Sequence, residues 1–389
     1  MKIGIFSDTF LPQINGVSTV VDVLVRELRE LGHQPLLFVP DYPEIPREER
    51  VAEEEQGIYR FPSFTFAFHR ESRVVLPLNR QAYRRLPELE IIHSHTPFSI
   101  GLYALWAARE FQIPHVHHYH TLFTEYRHYL PRPFRPSARL AERISAWFCN
   151  SCDVIITPSE PMRRELERYG VSRPIHSLPF GVDLREFQAE LDWDARRGLG
   201  IPEGAPLLLH AGRIAREKNL RFLLRAFREM LNRKPELWLV LTGNGPQRPE
   251  LEEYAKELGI SDHVVFTGYL PREQLLALYK QADLFVFASK TETQGLVLVE
   301  AMAAGTPVVA LGALGVLDVV HDGKDGLLLD PEIEPQGYAT AVVELLHDEG
   351  RRRRLAQGAR ETAEEMSAQR SVRRILEIYH DLLAEAKPD

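Results

Sequence analysis

Cysteine is nearly absent from this 389-residue chain, which has only Cys149 and Cys152. One pair builds neither a disulfide framework nor a four-ligand structural zinc site. A redox Cys-x-x-Cys opens a helix after a strand. This one closes an amphipathic helix ahead of the apolar run 153–159, so the two thiols read as packing groups. Long apolar runs are also missing, and nothing approaches the about 18 residues that a membrane-spanning helix needs. The start, MKIGIFSDTF, enters a strand pattern without the features of an export signal, which makes the cytosol the expected compartment. Positive charge is not in excess. With 47 Lys and Arg against 55 Asp and Glu, the formal net charge is −8. A general nucleic-acid binder is therefore excluded, because such affinity rests on neutralising phosphates. A local basic patch remains compatible with that balance.

What is present is a strand-then-helix grammar. Apolar runs at 2–7, 34–40, 91–95, 113–120, 153–159 and 175–181 read as strands separated by helical segments. The grammar restarts near residue 205, with strands at 206–213, 237–245, 263–268, 283–289 and 306–312. A polar, Gly- and Pro-punctuated stretch separates the halves. The length exceeds one ordinary core. The expected class is α/β, with two Rossmann-like domains whose parallel sheets face a central cleft. Residues 1–182 form the first domain and 183–371 the second, and the amphipathic helix 372–389 packs back on the first.

Chemistry-bearing residues gather where strands end, the region in which doubly wound folds bind ligands. Gly16 follows the first strand at a helix start. It suits close backbone approach by an anion, or is an ordinary turn glycine. Arg213 and Lys218 flank the turn after strand 206–213. They suit a diphosphate clamp, or are solvated surface charge as Arg216 reads. In SKTETQGLVLVEAMAAGTPVVA (289–310), Glu292 lies in a loop and Glu300 in the second turn of the following helix. Two carboxylates spaced in this way suit two polyol groups, since each accepts pairs of hydroxyl hydrogen bonds. Glu300 sits between LVLV and AMAAG, which leaves little room for a surface role. The N–H groups of Gly295, Leu296 and Val297 at the helix start suit a phosphate. Four histidines, His115, His117, His118 and His120, crowd one strand end. Side chains alternate along a strand, so His117 and His118 do not face one ion together, and no metal site is expected.

The 289–310 stretch resembles the signature of the retaining glycosyltransferases of family 4, which have the two-domain GT-B architecture. HAGRIAREKN (210–219) resembles their diphosphate-binding segment, PFGVD (179–183) their interdomain segment, and FSDTFLPQINGVS (6–18) their N-terminal glycine loop. The resemblance runs over nearly the whole chain. It implies a nucleotide-sugar donor held mainly by the second domain and an acceptor held mainly by the first. It assigns Arg213 and Lys218 to the donor diphosphate, Glu292 to the sugar hydroxyls, Glu300 to the ribose, and His120 to the neighbourhood of the reacting centre. Many members carry Gly-Phe-Gly after the first glutamate; here the residues are Thr293-Gln294-Gly295. That departure, with HHYHTLFTEYRHYLP (117–131), is similar to the subgroup that glucosylates diacylglycerol.

A lipid acceptor requires a route to a bilayer. The segments 60–73 and 125–148 mix aromatics with cations, among them Arg127, Arg132, Arg135 and Arg139, a composition that suits an interfacial anchor on anionic lipid or a solvated helix with a core-facing aromatic stripe. The expectation is therefore a retaining α-glycosyltransferase that moves glucose from UDP-glucose to diacylglycerol. It would act peripherally at the cytoplasmic face of the cell membrane, without a metal or other cofactor and without nucleic acid as partner. The alternatives are mannosyl transfer from GDP-mannose to a phosphoinositide or other polar acceptor, a nucleotide-sugar epimerase of the same architecture, and a non-catalytic nucleotide-binding or lipid-surface module.

Overall fold

The computed structural model describes residues 1–66, 69–122, 124 and 135–385, with residues 69–72 described through their backbone only. The chain divides into two compact units: Met1–Phe180 together with the segment from Ala368 onward, and Gly181–Ser367.

The first unit is built on a seven-stranded sheet. Its strands are β1 (Lys2–Phe6), β2 (Gln34–Pro40), β3 (Ile58–Phe61), β6 (Ile91–Ser94), β7 (His115–His118), β8 (Val154–Thr157) and β9 (Ile175–Ser177). They lie in the order β3-β2-β1-β6-β7-β8-β9, every neighbouring pair parallel. Helices cover a parallel sheet on both faces, so its strands are continuous apolar runs rather than alternating ones. A separate antiparallel pair, β4 (Ser63–Phe66) and β5 (His69–Val75), stands apart from this sheet. The first helix, Gly16–Glu30, is started by a capping box in which Asn15 and Ser18 satisfy each other's backbone N–H groups. The last helix, Ala368–Glu385, belongs to this unit. It buries Ile375, Ile378, Tyr379 and Leu382, one stripe at helical spacing. It packs along Gly16–Glu30, where Gln369 Nε2 donates to Glu27 Oε1 at 2.8 Å.

The second unit holds a six-stranded sheet. Its strands are β10 (Leu207–Ala211), β11 (Trp238–Thr242), β12 (Val264–Gly268), β13 (Leu284–Phe287), β14 (Val308–Leu311) and β15 (Gly326–Leu329). The order β12-β11-β10-β13-β14-β15, all parallel, is the Rossmann order. Both sheets reverse direction beside their first strand, between β1 and β6 and between β10 and β13. A crevice opens there at the carboxyl ends of the strands, so the loops after β1, β10 and β13 hold the chemically useful positions. The loops after β10 and β11 are drawn together: a Cβ on Gly243 would stand 2.1 Å from the Gly212 carbonyl oxygen.

The sequence reading placed the central strands within a few residues but did not contain β3, the β4–β5 pair or β15. Cys149 and Cys152 are both buried free thiols, at the end of helix Ala138–Asn150 and just beyond it. Burial pushes Cys149 up to about 12 and Cys152 higher still, which suppresses the thiolate that redox chemistry requires.

Candidate functional site

In the second unit the loop after β10 turns at Gly212 and leads through a 3₁₀ turn, Arg216–Lys218, into helix Leu220–Leu231. Asn219, in the left-handed conformation at φ 53°, donates from Nδ2 to the Ala288 carbonyl at 3.1 Å. Ser289 Oγ donates to the Glu217 carbonyl at 2.8 Å. These two bonds tie the turn after β10 to the end of β13, and so bring together residues that lie about 70 positions apart. Lys218 Nζ meets Glu292 Oε2 at 2.5 Å, and both side chains are largely withdrawn from solvent. Arg213 is partly buried on the same turn, 3.5 Å from Glu217. Arg216 is exposed. The structure thus separates two inward cations from one solvated one.

Glu292 is held through its backbone, its carbonyl accepting from Gly315 N–H at 3.0 Å. Gly295 then caps helix Leu296–Ala303 at φ 87°. That conformation disfavours a side chain, and a Cβ there would stand 2.7 Å from Leu298 Cδ1. The helix start carries no side-chain cap, and the first N–H groups of any helix lack an intrahelical acceptor. Leu296 and Val297 therefore present donors at a dipole end that favours negative charge.

Glu300 is buried at 6% exposure. One carboxylate oxygen takes Arg272 Nη1 at 2.5 Å and the other takes the Tyr279 hydroxyl at 2.9 Å. Arg272 also bonds Glu186, at 2.8 Å. The sequence reading missed both partners of Glu300. Arg272 and Tyr279 lie two turns apart on helix Arg272–Gln281 and so share the face that meets Glu300. The sequence also spells an Asp-x-Asp, Asp192-Trp193-Asp194, a motif that holds divalent metals in other proteins. Here Asp194 accepts from Arg197 N–H as the cap of helix Ala195–Leu199, which gives it a structural use.

In the first unit Gly16 is exposed at the start of its helix, and a Cβ there would meet nothing within 4 Å. Neither crowding nor backbone conformation demands a glycine, so what it leaves is uncovered backbone. His120 follows β7 and is partly exposed. Its Nε2 lies 2.9 Å from His95 Nδ1, and its ring stacks on His118 with centroids 4.1 Å apart. Burial pushes it down to about 3, so at neutral pH it is an uncharged imidazole. His115 and His117 turn to the opposite face, where both meet the Ser94 hydroxyl, at 2.8 and 2.9 Å. Of the basic segment, Arg135 and Arg139 are exposed at the approach to and in the first turn of helix Ala138–Asn150. Arg127 and Arg132 lie outside the described residues.

Residues 14–186 match the family described as Glycosyltransferase Family 4, and residues 192–362 match Glycosyl transferases group 1. The alpha-monoglucosyldiacylglycerol synthase of Streptococcus pneumoniae is 35% identical over 353 residues, covering 89% of this chain and 78% of that protein. The chain is a family 4 glycosyltransferase. Another relative of this glycosyltransferase, the alpha-monoglucosyldiacylglycerol synthase of Acholeplasma laidlawii, is 31% identical over 350 residues, 86% of each chain. The fold is shared with Anabaena HepE, solved in complex with UDP, at a TM-score of 0.77 and 20% identity over 98% of this chain and 100% of that one. The two sheets are accordingly those of a GT-B glycosyltransferase.

Proposed function

We propose that this glycosyltransferase moves glucose from UDP-glucose to diacylglycerol with retention of the anomeric configuration. The observation that carries the reading is the convergence of Arg213, Lys218 and Glu292 at the switch point of the second sheet, in a chain whose relatives are named for glucosyl transfer to diacylglycerol. Lys218 and Glu292 neutralise each other. A nucleotide sugar separates them: the diphosphate takes Lys218 and Arg213, and the sugar hydroxyls take Glu292. The N–H groups of Gly295, Leu296 and Val297 add donors at the phosphate. Glu300, already oriented by Arg272 and Tyr279, receives the ribose hydroxyls on its remaining lone pairs.

The acceptor hydroxyl attacks the anomeric carbon on the face from which the diphosphate leaves. The carbon–phosphate-oxygen bond breaks, the bond to the acceptor oxygen forms, and the hydroxyl proton passes to the departing phosphate oxygen. His120, on the first unit, is uncharged and can accept or donate a hydrogen bond there. No side-chain nucleophile and no metal are used. Preorganised cations and helix dipoles stabilise the leaving group, which is usually the largest single contribution to such catalysis.

Access to a bilayer runs through helix Ala138–Asn150. Leu140, Ile144 and Trp147, all about half exposed, form an apolar stripe on its outer side. Arg139 and Arg143 run alongside it, also exposed. An apolar stripe flanked by arginines suits the interface of an anionic membrane. Among the described residues no helix is long and apolar enough to cross a membrane, which is consistent with docking on the surface. A nucleotide-release assay tests the reading, with UDP- and GDP-sugars crossed against diacylglycerol, phosphatidylinositol and water. UDP release from UDP-glucose that depends on diacylglycerol supports it. Turnover confined to GDP-mannose with the phosphoinositide would replace it.

A further inference from the structure

Four histidines share one face of the first unit's sheet: His93 and His95 at the end of β6, and His118 and His120 at the end of β7. One ring nitrogen from each of His93, His95 and His118 lies within 4.8 Å of one from each of the others. All three residues are buried, none above 2% exposure. Nε2 of His93, Nε2 of His95 and both ring nitrogens of His118 have no hydrogen-bond partner. Buried polar atoms nearly always have one, so three neighbouring rings that each carry an unpaired nitrogen call for an occupant.

The second nitrogens of His93 and His95 are engaged in the way that metal-bound histidines require, whereas that of His118 has no partner. His93 Nδ1 lies 2.5 Å from the Tyr379 hydroxyl, and His95 Nδ1 lies 2.9 Å from His120 Nε2. Such partners fix the tautomer and the ring plane of a ligating imidazole. Burial holds all three rings uncharged, the form that ligates. An all-imidazole set suits zinc and its neighbours rather than magnesium or calcium, which take oxygen donors. His120, partly exposed beside the three, leaves an entry path.

We propose that His93, His95 and His118 bind one divalent transition ion of the zinc class, His93 and His95 through Nε2, with a water in the fourth position. Metal–nitrogen bonds of about 2.0–2.1 Å require the three rings, whose planes lie within 30° of one another, to turn and draw together on loading. His93 Nδ1–H then donates to the Tyr379 oxygen, and the ion ties β6 and β7 to the C-terminal helix. His95 Nδ1–H donates to His120 Nε2, which places the His120 proton on Nδ1. The site lies wholly within the first unit and takes no part in holding the donor diphosphate, so it is compatible with a metal-free transfer reaction.

The full-length protein, stripped with chelator and dialysed, is titrated with Co²⁺ and then with Zn²⁺. The expected result is one ion per chain, visible d–d absorption of tetrahedral cobalt, displacement by zinc, and a higher Tm in the loaded protein. His95→Gln and His118→Gln should each weaken binding more than ten-fold. Tyr379→Phe should weaken it about ten-fold, since loss of an outer-sphere partner costs 10–100-fold. His33→Gln and His380→Gln, outside the cluster, should leave it unchanged. Should the two cluster variants fail to fold, the wild-type cobalt spectrum and Tyr379→Phe still decide. Absence of saturable binding, an octahedral spectrum, or binding unaltered in the folded cluster variants overturns the proposal; in the first case ordered water occupies the site.

Discussion

Lys218 and Glu292 hold each other at 2.5 Å, and in the proposed mode of binding the donor separates this ion pair. Replacing Lys218 or Arg213 by Ala should lower kcat about 100-fold, the scale of losing one preorganised charge donor. Near-normal turnover in both variants would contradict the clamp. His210, buried on β10 behind this turn, gives a second residue-scale prediction. It is pushed down to about 4, chiefly by burial; the Val286 carbonyl works in the opposite direction and the Lys218 charge adds to the effect. An unfolded histidine titrates near about 6.5, so below that pH the unfolded chain takes up a proton that the folded chain refuses. The contribution is therefore intact above about pH 6.5 and is lost progressively as pH falls toward 4. Urea unfolding should show wild type losing about 2 kcal/mol more than His210→Gln between pH 7 and pH 5, and equal losses would refute the assignment. The positions of Arg213, Lys218, Glu292 and Glu300 beyond strand ends were legible in the sequence, because the apolar runs before them mark where each strand stops. Arg272 at Glu300, and His93 and His95 beside His120, were not, because tertiary contact pairs residues that the sequence places far apart.

At the scale of elements, helix Ala138–Asn150 is the surface that docks on lipid in this account. Its inner side is settled by packing: Ala141, Ser145, Ala146, Phe148 and Cys149 are buried. Leu140, Ile144 and Trp147 are left outside with Arg139 and Arg143. Near an anionic surface each cation contributes on the order of 1 kcal/mol, and salt screens it. Reversing Arg135, Arg139 and Arg143 to Glu should reduce flotation with anionic vesicles at least 100-fold in partition while leaving UDP binding unchanged. Equal flotation of variant and wild type would remove this helix as the anchor. The periodicity of this helix was readable, but the exposed position of its apolar stripe was not, because the sequence equally permitted a core-facing one. The 60–73 segment shows a related gap. Its aromatics and arginines suited an anchor or a core-facing stripe, and the sequence did not reveal that residues 63–66 and 69–75 form the antiparallel β4–β5 pair. Strand β15 was missed because four residues beginning with glycine carry too little pattern.

At the scale of the molecule, the restart of the strand–helix grammar near residue 205 made two Rossmann-like units visible, since buried parallel strands are apolar runs whatever surrounds them. Transfer that relies on Arg213, Lys218 and a helix start in place of a divalent ion should keep its rate within about two-fold in excess EDTA. Loss of turnover that Mg²⁺ or Mn²⁺ restores would contradict this. The proposed donor and acceptor assignments point to one product. The purified protein, incubated with UDP-[¹³C]glucose and dioleoylglycerol in anionic vesicles, should yield a glucosyl-diacylglycerol whose anomeric proton shows the small coupling of an α-linkage. A β-linked glucolipid, or free glucose with no glycolipid, would contradict the account.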